Sequence, residues 1–77
     1  MSVFTYDPIE AQRELIRYRE KNAEMYQRGV DYYASRRGRR NAETAEKFRS
    51  YVRAFQELVE IGRAELEVKL AEAANNG

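Results

Sequence analysis

Apolar residues return every seven positions along two stretches of the chain, with a short polar segment between them. In the first stretch Ile9, Ile16, Ala23 and Val30 recur, interleaved with Gln12, Arg19, Tyr26 and Tyr33. In the second, Ala45, Val52, Val59, Leu66 and Ala73 recur, interleaved with Phe48, Phe55, Gly62 and Lys69. Spacings of three and four that sum to seven are the a and d positions of a helical seam, and they do not fit the two-residue alternation of a strand. Leu15 widens the first seam, and Tyr51 and Leu58 widen the second. The pattern predicts two helices packed along one line.

Glycine, proline and capping residues set the boundaries. Asp7-Pro8-Ile9-Glu10 reads as a helix start. Asp7 can accept from first-turn amides, Pro8 needs no partner at N1, and Glu10 at N3 can complete a capping box. Gly38 is placed as the C′ residue that stops the first helix, and Asn41 as the cap of the second. The predicted elements are helix 1 over about 8–35, a loop over 36–41 and helix 2 over about 42–73, with fraying through Asn75-Asn76-Gly77. So short a connection makes the helices antiparallel neighbours. The expected fold is all-α, a coiled-coil-like antiparallel two-helix hairpin forming one domain over 1–77.

Each helix carries a second seven-residue stripe beside the seam: Ala11, Tyr18, Met25 and Tyr32 on the first, and Ala54, Ile61 and Val68 on the second. A hairpin has one inside, so both stripes cannot be buried. An apolar surplus on a small hairpin points to a partner surface, and a second copy would complete a homodimeric four-helix bundle. Gln12, Arg19 and Lys69 put polar atoms into the seam itself. A buried unpaired arginine is costly, so Arg19 must snorkel, pair with a carboxylate or sit where the seam opens. Polar seam residues of this kind commonly fix register, and a ligand contact inside the bundle is the sharper alternative.

Composition narrows the chemistry. The 77 residues include no cysteine and no histidine, which removes disulfides and the usual ligands of structural zinc. A chain this short is marginal on its own core, so helix packing or oligomerisation has to stabilise it. Fourteen Lys and Arg against thirteen Asp and Glu leave a net charge of +1, so any anion recognition has to be local. The opening MSVFTYDPIE lacks a basic region followed by an apolar run, and no stretch is apolar enough to span a bilayer. A cytoplasmic protein with no membrane contact is expected.

Catalysis finds few candidates. Without histidine or cysteine, and with serine only at Ser2, Ser35 and Ser50, a nucleophile with its base cannot be assembled. Glu-x-x-His di-metal sites need histidine, and no glycine-rich phosphate loop is present. The glutamates are expected on the polar arcs in i,i+4 pairs, as in Glu24–Arg28, Glu43–Lys47 and Glu65–Lys69. No enzymatic activity, cofactor or metal is expected.

Binding remains. Residues 32–41 read YYASRRGRRN and place Arg36, Arg37, Arg39 and Arg40 at one end of the hairpin, beside Tyr32 and Tyr33. Guanidinium forks match phosphate and carboxylate geometry, and tyrosines can stack on bases. Arg36 and Arg37 also offset the negative end of the first helix, whereas Arg39 and Arg40 sit at the positive end of the second. Because Tyr32 continues the surplus stripe toward the tip, Tyr32 with Arg39 and Arg40 is expected to matter more for binding than Tyr33 with Arg36.

In architecture alone the pattern resembles the plasmid copy-control hairpins and the WXG100 hairpins; the loop has no Trp-x-Gly and the chain no tryptophan, so no family follows. The expected function is a non-catalytic interaction module that binds a partner protein, a small regulator, inhibitor or assembly adaptor of the kind bacteriophages encode. The alternatives are nucleic-acid or nucleotide binding through the arginine loop, and a purely structural bundle component.

Overall fold

Asp7 opens the first helix as its sequence context demands. Its Oδ1 accepts from the amides of Ile9 at 3.0 Å and Glu10 at 3.3 Å, and Pro8 follows at N1. The capping box does not close, because Glu10 turns away to Arg17, whose Nη2 donates to it at 3.1 Å. A computed structural model describes residues 6–76, and Gly77, where fraying was expected, lies outside them. Within them the chain forms two helices, α1 (Pro8–Ala34) and α2 (Arg39–Asn76).

The connection is shorter than predicted, and α2 is longer at both ends. The loop is 35–38 rather than 36–41, and α2 covers 39–76 rather than 42–73. Ser35 is the C-cap of α1, its N–H donating to the Asp31 carbonyl at 3.2 Å. Gly38, expected as C′ of α1, instead begins α2: its φ is +118° and its carbonyl accepts from Ala42 N–H at 3.1 Å, the first bond of the new helix. A β-carbon would be strained at that φ, which is why glycine occupies the corner. Asn41 is therefore already helical and caps nothing. Its Nδ2 reaches back to the Arg37 carbonyl at 2.9 Å, tying the corner together.

The helices run antiparallel, with cross-contacts from Gln12 to Gly62, Arg19 to Leu58, Tyr26 to Tyr51 and Tyr33 to Phe48. Together they make a thin slab, 58 × 31 × 12 Å across its Cα atoms. The seam follows the predicted heptads. Ile16, Val30, Ala45, Val52 and Val59 are buried, and Ala23, Tyr26, Tyr33, Phe48, Phe55 and Leu66 are half-buried. Ala73 continues the register but is exposed, since it lies past the level of Pro8, where α1 begins.

Two kinds of packing divide the seam. Toward the loop it is aromatic: Tyr26 meets Phe48, Tyr51 and Phe55 at ring-centroid distances of 5.5, 5.1 and 5.7 Å, and Tyr33 meets Phe48 edge-on at 5.6 Å. Toward the open end it is polar, and Gly62 makes this possible. A helical side chain leans over the turn before it, so the missing one at Gly62 uncovers the Leu58 carbonyl. Arg19 Nη1 donates to that carbonyl at 2.9 Å. Gln12, itself buried, donates from Nε2 to the Gly62 carbonyl at 2.9 Å and to Glu65 at 3.3 Å, while its Oε1 accepts from Lys69 Nζ at 2.9 Å. Arg19 thus settles on a carbonyl rather than a carboxylate, and all three polar seam residues serve helix pairing. Among the described residues no buried side-chain polar atom lacks a partner.

Gly29 is the matching socket on α1. A β-carbon there would stand 2.3 and 2.6 Å from ring atoms of Phe48. An alanine in a helix interior ordinarily gains about 1 kcal/mol over glycine. Here the ring that must move is wedged among Tyr26, Tyr33 and Tyr51. Gly29→Ala is therefore expected to destabilise by about 1–3 kcal/mol, the usual cost of overpacking. Thermal unfolding followed by circular dichroism measures it, and a raised Tm would contradict so close an approach.

Candidate interaction surfaces

The second stripes lie on one side of the slab. On α1 the row Ala11–Tyr18–Met25–Tyr32 precedes the seam row Gln12–Arg19–Tyr26–Tyr33 by one residue. On α2, Ala54–Ile61–Val68 precedes Phe55–Gly62–Lys69 by one residue. Each stripe is thus turned by about 100° from its seam in the same rotational sense. Since the helices run in opposite directions, equal turns about their own axes bring both stripes to the same face. Tyr18 is 64% exposed, Met25 53%, Tyr32 51%, Ile61 52% and Val68 57%. Ala54 is exposed as well, and Ala11 is half-covered.

Three further side chains belong to this face. Leu15, Tyr51 and Leu58, expected to widen the seam, remain 37–39% exposed and extend the apolar surface inward from the stripes. Their heptad positions already signal this, standing between seam and stripe.

The opposite face is different in kind. There a shallow open groove has Ala23 and Val59 at its base and Glu20, Gln56, Glu60 and Arg63 on its walls. Arg63 spans it, with its Nη2 3.2 Å from Glu20 and its Nη1 3.3 Å from Glu60. This is the one ion pair between the helices among the described residues. None of the three expected i,i+4 pairs forms: Glu43 pairs with Arg39 at 3.2 Å, and Glu65 and Lys69 both turn to Gln12. The Gln12 amide lies across the seam from both, and it offers Glu65 a donor and Lys69 an acceptor.

At the tip the arginines part company. Arg36 N–H donates to the Tyr33 carbonyl at 3.2 Å, so the chain turns tightly enough to bring the Arg36 guanidinium 4.3 Å from the Tyr32 ring centroid. Tyr32 also meets Tyr33 edge-on at 5.0 Å. Among the loop arginines it is Arg36 that lies over the Tyr32 ring. Arg39 lies in the first turn of α2, its carboxylate partner Glu43 relieving the unfavourable position. Arg37 and Arg40 are exposed and have no carboxylate partner among the described residues.

Charge is sorted along the slab even though the total nearly cancels. The loop half, residues 21–55, carries nine Lys and Arg against four Asp and Glu, a net of +5. The open half, residues 6–20 with 56–76, carries five against nine, a net of −4. Among the described residues no cluster of carboxylates has the geometry to hold a metal ion, and no helix is long and apolar enough to cross a membrane. The chain matches no protein-family model, no curated protein and no solved structure.

The crossing at Gly62 and the tip differ in what they hold together. Gln12→Ala removes bonds to three partners on α2 and is expected to cost about 1–3 kcal/mol. The double variant Arg37→Ala/Arg40→Ala touches no internal contact and should stay within about 0.5 kcal/mol of the parent. Urea unfolding of all three proteins at one protein concentration checks the contrast. A large loss in the arginine variant would make the tip structural.

Proposed function

We propose that the chain is a small non-catalytic protein-interaction module, a regulator, inhibitor or assembly adaptor, that acts by binding protein through its apolar face. One observation carries the reading: Tyr18, Met25, Tyr32, Ile61 and Val68 are all about half exposed or more, and all lie on one side of a two-helix slab. Scattered apolar side chains on a surface need no explanation, but so many gathered on one side of a slab do. Tyrosine and methionine suit such a face, because they give large contact area and adapt to the shape opposite.

Pull-down from the native host tests it. Tyr18→Ala/Met25→Ala is expected to lose the partners that the parent chain holds, while changing Arg36, Arg37, Arg39 and Arg40 together to alanine is expected to keep them. Circular dichroism establishes that both variants remain helical. The reading fails if the face variant retains every partner, a second copy of the chain included.

A second reading, nucleic-acid or nucleotide binding through the loop, is favoured by the +5 loop half and by Arg37 and Arg40, whose guanidinium groups are uncommitted to carboxylates. Phosphate contact predicts affinity for a labelled oligonucleotide that falls steeply between about 50 and 200 mM salt, with a shallower slope once two arginines are removed. Absence of binding at the lower salt removes this reading.

A further inference from the structure

Resting on the proposal that the apolar face is a protein-docking surface, we infer that its occupant is a second copy of this chain, laid face to face and end for end. The loop of each hairpin then covers the open end of the other, about a two-fold axis that lies between the two slabs, parallel to them and across the helices.

Area argues for a large partner. The chain exposes 6348 Å², whereas a compact monomer of 9.1 kDa exposes about 4,900 Å². Two antiparallel helices overlapping over the length of α1 present a face about 40 Å by 20 Å, close to the ~800 Å² per partner of a stable interface. A flat slab with one apolar face is half of a four-helix bundle, and a copy of itself has the same length, flatness and polarity.

Charge decides the orientation. The rows that build the face continue in register into charged residues, and the two ends differ in sign. The stripe Ala54–Ile61–Val68 extends back by sevens to Lys47 and Arg40 at the loop end. The row Tyr51–Leu58 extends forward by sevens to Glu65 and Glu72 at the open end. Two copies with loops together would set +5 against +5 at one end and −4 against −4 at the other. Turned end for end, each +5 half meets a −4 half, and Arg40 and Lys47 come over the second copy's Glu65 and Glu72. Like charges brought together at an interface oppose one arrangement while unlike charges support the other, so the sorted charge selects the second. The side-chain sizes agree: α1 lies over the second copy's α1 and α2 over its α2, so Tyr32 and Met25 come over Ala11 and Tyr18, and Tyr51 comes over Leu58 and Ile61.

The absence of native cysteine makes the test direct, since single labels can be placed at will. Spin-labelled Arg37→Cys is expected to sediment as a dimer with an inter-label distance on the order of 50 Å, set by the helix rise. Mixing Arg37→Cys with Glu72→Cys should instead give a short distance, under about 25 Å, because those sites then lie on packed neighbours. Met25→Asp, at an exposed position that α1 does not need for its seam, should weaken the dimer about a hundredfold while remaining helical. If that variant does not fold, the label distances on the intact face still decide. A short distance between two Arg37 labels overturns the end-for-end arrangement. A dimer indifferent to folded Met25→Asp shows another face in use and overturns the inference. A strict monomer also overturns it, and leaves the apolar face to a foreign protein, which the pull-down judges separately.

Discussion

Two helices share a single line of contact, and that limit governs the rest of the molecule. One stripe of each helix can be covered by the other; every remaining side chain faces water or a further molecule. The covered stripe is thin, with five buried apolar side chains and one buried glutamine. Each buried aliphatic group stabilises by roughly 1.5–3 kcal/mol before entropy is subtracted, so such a core has little in reserve. The two halves of the seam meet this limit differently. Rings fill the loop half with wide, interlocking contacts, and the open half adds hydrogen bonds to the carbonyls of Leu58 and Gly62.

Most of the fold was legible from spacing. The heptads located the seam from Ile9 to Val30 and from Ala45 to Leu66, and the Asp7-Pro8 start was placed to the residue. The corner was not, because Gly38 and Asn41 each have two roles open to them. A glycine can end a helix at C′ or begin one, and only the positive φ followed by the Ala42-to-Gly38 bond chooses between them. Ion pairs were the least legible part. Glu43 has a basic residue four positions away on each side, Arg39 and Lys47, and sequence alone does not say which it takes. Glu65 and Lys69 were drawn out of their local pair by a glutamine more than fifty positions away.

The apolar stripes were visible as a surplus, yet sequence did not show that they lie side by side. That follows from antiparallel pairing, which converts equal rotations on two helices into one common face. The charge sorting is hidden in the sequence for a related reason. In sequence order acidic and basic residues are interspersed along both helices, and the totals of fourteen and thirteen look balanced. Folding the chain at Gly38 brings Lys47, Arg49 and Arg53 alongside Arg28, and Glu60 and Glu65 alongside Glu14 and Glu20. Polarity emerges from the fold rather than from any one segment. It also gives the arginine loop a setting beyond its own four guanidinium groups.

The two helical glycines have a further consequence, for alternative alignments of the same hairpin. A seven-residue slide of α2 along α1 would keep apolar residues opposite one another, so the heptads by themselves tolerate it. The sockets do not. After such a slide Phe48 would face Asn22 or Arg36 in place of Gly29, and Gln12 would face Phe55 or Lys69 in place of the carbonyl at Gly62. A ring would then lose its recess, and an amide its acceptor. The hairpin thus reads its own alignment at two points about 30 residues apart on different helices, as a key with two notches fits a lock in only one position.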